Sequence, residues 1–203
     1  MDLSDADRAR ISVAIRDAEA QTSGEIYCVK AHACSTYRVV PLAWSALVAL
    51  AVPLPLIYLT HWPVSIIYFL QLAAFGLCFT GLSHPSIRYR IVPARMKRDR
   101  AHAEALRQFA AHGLHKTEQR TGVLIFVSVA ERYAEIMADA GIDRKVEPGA
   151  WDAPIRALIG AIKEGRPADG FVAAIEQCAR VLAVHFPPGA LNRNELPNTI
   201  VEL

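Results

Sequence analysis

Gly122-Val123-Leu124-Ile125-Phe126-Val127-Ser128-Val129 is continuous, apolar and rich in β-branched residues. With apolar side chains at odd and even positions alike, it suits a central strand buried on both faces. The residues after it alternate. Tyr133, Glu135, Met137 and Asp139 fall on one face, and Ala134, Ile136 and Ala138 on the other. That period fits a half-buried strand or a short helix. We favour the strand, paired with the first as a hairpin around Ala130-Glu131-Arg132. Upstream, Ile26-Tyr27-Cys28-Val29 reads as a further buried strand.

Helices are expected around these strands. Ile11, Ala14, Ile15 and Ala18 recur at helical spacing, and Ser4 with Asp7 forms a short capping box. Residues 95–112 read as a helix with Leu106, Phe109 and Ala110 on its apolar side, stopped by Gly113. Ile155, Leu158, Ile159 and Ile162 mark another, ended by Gly165. Pro167 opens the last, striped by Phe171, Ile175, Cys178 and Leu182 and ended before Pro187-Pro188. The tail from residue 189 has turn residues and a short Ile200-Val201 end. The expected class is α/β, a central sheet flanked by helices.

One segment does not belong to such a domain. Residues 39–87 contain no Asp, Glu, Lys or Arg, so all 22 basic and 20 acidic residues lie outside it. A bilayer core about 30 Å thick takes about 20 apolar residues as helix. Residues 39–58 provide one such span and 64–82 nearly another. Leu59-Thr60-His61-Trp62-Pro63 separates them. Pro53 and Pro55 are expected to kink the first span near its end. Trp62 and Tyr58 suit the headgroup level. The basic flanks are Lys30 and Arg38 before, and Arg88, Arg90, Arg95, Lys97, Arg98 and Arg100 after. By the positive-inside rule both termini are cytoplasmic and the turn faces out. Residues 1–38 and 88–203 then form one discontinuous domain around a transmembrane hairpin, residues 39–87. The acidic N-terminus has no apolar core and does not read as a secretory signal.

The chain is 203 residues long, 53% apolar and 21% charged, with a net charge of +2. That excludes a disordered tail protein and a disulfide scaffold. The charge is too mild for a nucleic-acid binder, and the basic cluster reads as topogenic charge on anionic lipid. Cys28, Cys34, Cys78 and Cys178 have no C-x-x-C spacing. Buried or free thiols are expected, with a Cys28–Cys34 disulfide as the alternative. His102, His112 and His115 read as surface or helix-end histidines. Acids are dense from Glu131 to Asp152. A solvated strand face and helix caps explain them. The alternative is a calcium or magnesium ion, with Asp139, Asp143 and Asp152 as candidate ligands. There is no Walker loop, nucleophile elbow, dinucleotide fingerprint or H-E-x-x-H motif.

Several stretches taken together carry a resemblance. They are Ile11-x3-Ile15-x3-Glu19-x2-Thr22-Ser23-Gly24-Glu25-Ile26, then a hydrophobic hairpin, then the run from Arg120-Thr121-Gly122 through Val129-Ala130-Glu131-Arg132-Tyr133 to Ile136. Downstream lie Asp139-x2-Ile142, Trp151, Gly165, Phe171-x3-Ile175, His185-Phe186-Pro187 and Asn194-Glu195-Leu196-Pro197-Asn198. Over nearly the whole chain the sequence resembles the membrane branch of bacterial TPM-domain proteins. The resemblance implies an α/β sandwich with a central sheet. It also implies a bacterial inner-membrane location. Family members are linked to photosystem repair or to tuning a membrane receptor. Some are described as acid phosphatases, and some bind calcium. The hairpin interrupts the domain where the soluble branch continues, so acidic residues of that soluble segment have no counterpart here.

The motif polar residues are Glu19, Thr22, Ser23, Glu25, Glu131, Arg132 and Asp139. Glu19, Glu25, Glu131 and Asp139 are candidates for a shared polar site. Local structure offers another account. Thr22-Ser23-Gly24 would be a helix stop with a left-handed glycine. Glu25 would open a strand at the sheet edge. Glu131 and Arg132 would form a local ion pair. The leading functional expectation is a non-catalytic accessory protein in the bilayer that binds and assists a membrane protein partner. The alternative is a membrane-tethered phosphatase or other divalent-metal-dependent hydrolase. A lipid or small-molecule sensor is a third reading, resting only on the basic flank.

Overall fold

A computed structural model describes residues 2–188 and 194–203. In chain order its elements are α1 (Asp5–Glu19), β1 (Glu25–Ala31), α2 (Val39–Ala51), α3 (Pro53–Leu59), α4 (Val64–Ser83), α5 (Pro85–Ile91), α6 (Ala94–Ala111), a 3-10 turn (Leu114–Lys116), β2 (Gly122–Ser128), β3 (Tyr133–Ala138), α7 (Ala140–Asp143), α8 (Asp152–Lys163), α9 (Pro167–His185) and β4 (Ile200–Glu202). They divide into two compact units, residues 1–34 with 99–203, and residues 35–98.

The first unit is built on a four-stranded sheet in the order β3-β2-β1-β4. β1 and β2 run parallel in full register, from Glu25 opposite Gly122 to Ala31 opposite Ser128. β2 and β3 form the antiparallel hairpin expected from the alternation. Every residue of β1 and β2 is buried, because both faces are covered. On one face Ile26, Cys28, Val123 and Ile125 pack with Ile11 and Ile15 of α1, Leu158 of α8 and the Phe171, Ile175, Leu182 stripe of α9. On the other, Tyr27, Val29, Leu124 and Phe126 pack with Ala105 and Phe109 of α6 and with Leu114. This is an α/β fold with helices on both sides of a mixed sheet.

Local signals explain most boundaries. Ser4 and Asp7 form the reciprocal cap of α1: the Asp7 N–H donates to Ser4 Oγ at 3.1 Å, and the Ser4 N–H donates to Asp7 Oδ2 at 3.1 Å. Gly113, at φ +71°, follows the end of α6, and Gly165, at φ +77°, follows α8.

Four expectations change. The buried face of α6 is Ala101, Glu104 and Ala105, with Leu106 47% exposed. Small alanines one turn apart let this helix lie close to the sheet, which a Leu106 stripe would prevent. Gly24 is not left-handed. A Cβ there would meet Leu182 Cδ1 at 3.0 Å, so its constraint is the close approach of α9. The Ile200-Val201 end is a strand, β4, parallel to β1. β1 is therefore interior to the sheet, and Glu25 opens an interior strand. The turn-rich tail expected from residue 189 lies outside the described residues as far as 193.

The second unit contains two long apolar helical stretches. Val39–Leu59 has 21 residues, divided at Pro53, and Val64–Ser83 has 20. At about 1.5 Å per residue each reaches about 30 Å, the thickness of a bilayer core. Of their most apolar windows only 22% and 6% is buried, unlike the core helix of a soluble domain. Both are long and apolar enough to span a membrane. Ser45 Oγ donates to Pro41 O at 2.7 Å, which removes a polar group from the apolar surface. Tyr37 and Tyr89 meet edge to face at 5.8 Å, and Lys97 Nζ donates to Tyr89 O at 3.2 Å.

Candidate functional site

The loop from α1 to β1 gathers most of the motif residues. Thr22 is fully buried. Its Oγ1 donates to Phe186 O at 2.6 Å and accepts from the Gly24 N–H at 3.1 Å. Ser23 contributes main-chain groups: its N–H donates to Phe186 O, and its carbonyl accepts from Thr121 Oγ1, both at 3.0 Å. This stretch therefore ties the start of β1 to the end of α9 and the start of β2.

Glu19 and Glu25 line one cleft of about 220 Å³ with Arg16, Asn194 and Asn198. Glu19 Oε1 accepts from the Ile26 N–H at 3.0 Å, and the Asn198 side chain also hydrogen-bonds Glu19. Burial pushes the Glu19 carboxyl up to about 8; the nearby Glu25 charge adds to this and the Ile26 N–H opposes it. Burial also raises Glu25. Both of its oxygens are engaged: the Glu195 N–H donates to Oε1 at 3.3 Å and the Leu196 N–H to Oε2 at 3.2 Å. Glu195 in turn accepts the Glu118 N–H on both oxygens at 3.2 Å. Asn194 Nδ2 donates to Asn198 Oδ1 at 2.7 Å. The T-S-G-E and N-E-L-P-N motifs thus meet in space.

Glu131 lies elsewhere, near the C-terminal ends of β1 and β2. Ser128 Oγ donates to its Oε2, and the Cys34 N–H donates to its Oε1 at 3.1 Å. The expected ion pair with Arg132 does not form, because both oxygens of Glu131 are turned to these partners. Arg132 is exposed, with its backbone left-handed at φ +53°. Burial pushes the Cys34 thiol up to about 11, which keeps it protonated at neutral pH and a weak nucleophile. All four cysteines are free.

Asp139 caps α7. Its Oδ1 accepts the Ala140 N–H at 2.6 Å, while its buried Oδ2 has no hydrogen-bond partner among the described residues. Asp143 and Asp152 are exposed, and no three His, Cys, Asp or Glu side chains among the described residues gather as metal ligands. Asp139, Asp143 and Asp152 therefore do not fit the oxygen cage that calcium or magnesium requires. The histidines are dispersed. His102 Nδ1 lies 3.0 Å from both Glu135 oxygens, and His112 Nδ1 3.1 Å from Tyr27 Oη, where burial lowers the His112 pKa.

Residues 84–181 match the family model described as the TPM domain. The chain carries a TPM domain. The matched stretch runs from α5 through β2, β3 and α8 into α9. The BA42 protein of the psychrophilic bacterium Bizionia argentinensis, solved by NMR, is 23% identical. The similarity covers 100% of this chain and 97% of that one, with a TM-score of 0.63. It shows that the two share a fold. No curated protein matches the chain. Glu131, Arg132 and Asp139 lie inside the matched TPM stretch, whereas Glu19, Thr22, Ser23 and Glu25 precede it. The contribution of Asn194 and Asn198 to the cleft was missed at the sequence level. Their only signal was the N-E-L-P-N motif itself, which carries no information about its distant contacts.

Proposed function

We propose that this protein is a membrane-anchored TPM-domain accessory module, inserted in a bacterial inner membrane, that binds and assists a membrane protein partner without catalysis. The observation that carries the reading is the use of the motif carboxylates. Both oxygens of Glu25 accept backbone N–H groups, and Glu131 accepts Ser128 and a backbone N–H. Such bonds hold loops in place, and a carboxylate so engaged is poorly placed to accept a substrate proton. The two long apolar helices supply the anchor. They interrupt the domain instead of trailing from a terminus, so the chain is tethered at two crossings. Both termini are then cytoplasmic, as the basic flank after the second span favours.

The test is purification of the full chain from native membranes in mild detergent, with quantification of co-purifying proteins before and after a salt wash. A membrane protein retained at fixed stoichiometry is the expected result. A protein that elutes alone from gently solubilised membranes overturns the reading.

A second reading, a phosphatase or other hydrolase, is favoured by one feature. Burial raises the Glu19 carboxyl to about 8 in a cleft it shares with Glu25, and a carboxyl protonated at neutral pH is what general acid catalysis needs. Turnover of p-nitrophenyl phosphate by the full chain, abolished by Glu19→Gln with the fold intact, would support it. Absence of turnover with and without calcium or magnesium would dispose of it.

A further inference from the structure

Beyond the carboxylate cleft, the first unit holds a cavity of about 320 Å³ between the β2–β3 hairpin and α8. That volume is at the lower end of small-molecule sites, about 300–1,000 Å³. Its walls are chiefly apolar: Val127, Ala134, Ile159 and Ile162 line it, and the last three are only partly buried by the protein itself. Ser128 and Tyr133 add hydroxyl groups, and two cations stand in the lining, Arg132 at the hairpin turn and Lys163 at the end of α8. Neither forms an ion pair among the described residues, although both are exposed and acids are frequent in this part of the chain. Glu131, next to Arg132 in sequence, turns its carboxylate to Ser128 and the Cys34 N–H, and Glu164, next to Lys163, pairs with Arg166. Apolar walls rimmed by two exposed cations with no carboxylate partner among the described residues favour a ligand with an apolar body and an anionic end.

We propose that this cavity binds a single-chain amphiphilic carboxylate, its alkyl chain between Ile159, Ile162 and Ala134 and its head group at Arg132 and Lys163. The alkyl chain would cover the apolar surface that α8 and the hairpin leave open, and the carboxylate would receive charged N–H donors. The site is independent of the accessory reading, since it uses none of the Glu19–Glu25 cleft.

The test is a titration of hexanoate into the full chain in phosphatidylcholine nanodiscs, following the labelled δ-methyl groups of Ile159 and Ile162 by NMR. Hexan-1-ol, the neutral analogue, and acetate, the head group without its chain, are titrated in parallel. Saturable shifts with hexanoate are expected, with affinity for hexan-1-ol lower by about ten-fold and no saturation by acetate. Arg132→Asn keeps a residue that tolerates the left-handed backbone, and Lys163→Gln acts at an exposed helix end. Each is expected to weaken hexanoate several-fold while leaving hexan-1-ol unchanged. Equal affinity for hexanoate and hexan-1-ol on the unmodified protein overturns the proposal without recourse to a variant. So does the absence of saturable shifts at both isoleucines.

Discussion

Glu19 is a carboxyl group whose burial outweighs the Ile26 N–H and the Asn198 side chain, which favour its charge. Its pKa rises from 4.5 to about 8 on folding. The contribution is present in full below the unfolded value and is lost as pH rises through the folded one. Stability is therefore expected to fall between about pH 5 and pH 8 on account of this group. Glu19→Gln keeps an acceptor for the Ile26 N–H and removes the titration. Its melting temperature should exceed that of the unmodified protein at pH 9, and the gap should close toward pH 5. A gap independent of pH would show that Glu19 is not held neutral. Thr22 gives a second prediction. Thr22→Val leaves the Gly24 N–H without its buried acceptor, while Phe186 O keeps the Ser23 N–H. A loss of about 1–3 kcal/mol is expected in urea unfolding, with Thr22→Ser recovering most of it.

Elements depend on contacts of this kind when they are short. β4 has three residues and lies at the edge of the sheet. Beyond its ladder with β1, the Leu203 N–H donates to Lys30 O at 3.0 Å and the His32 N–H to Leu203 O at 2.7 Å. Glu202 accepts from the buried Lys30 and, at 2.8 Å, from Arg8 of α1. Upstream, Glu25 holds the chain that leads into β4. Glu25→Ala should speed hydrogen exchange at Ile200, Val201 and Glu202 while Leu124 and Phe126 of β2 keep their protection. Unchanged exchange at β4 would mean that the ladder alone holds it. The approach to α7 gives a sharper steric test. A Cβ on Gly141 would lie 2.4 Å from Arg120 O and 2.7 Å from Gln119 O. Backbone must move to admit it, so Gly141→Ala should cost about 1–3 kcal/mol in a thermal or urea melt.

At the scale of the whole molecule the testable quantity is topology. The proposed topology predicts that, with the four native cysteines replaced by serine, an impermeant maleimide labels His61→Cys in intact cells, and Asp2→Cys only after permeabilisation. Labelling of position 61 only after permeabilisation would reverse the orientation.

Elements came from local rules. The uncharged stretch was legible as two helices long and apolar enough to span a membrane, because that property depends on length and composition alone. The GVLIFVSV run and the alternation after it were legible as a hairpin because side-chain period distinguishes the two kinds of strand. The Ser4–Asp7 cap and the stops at Gly113 and Gly165 were legible because each acts within a few residues, whereas Gly24 is set by its distant contact with Leu182. The buried face of α6 was not. Leu106 is more apolar than Ala105, but fit against the sheet selects the smaller residue. The carboxylates mark the same limit. Glu25 meets Glu195 and Leu196 across most of the chain, and Glu131 meets Cys34 in place of its neighbour Arg132. Short-range periodicity and turn chemistry determined which elements form and where the apolar spans lie. Which polar groups converge, and that β4 pairs beside β1, was decided by the tertiary structure alone, because hydrogen bonds between distant segments depend on three-dimensional placement that no local pattern encodes.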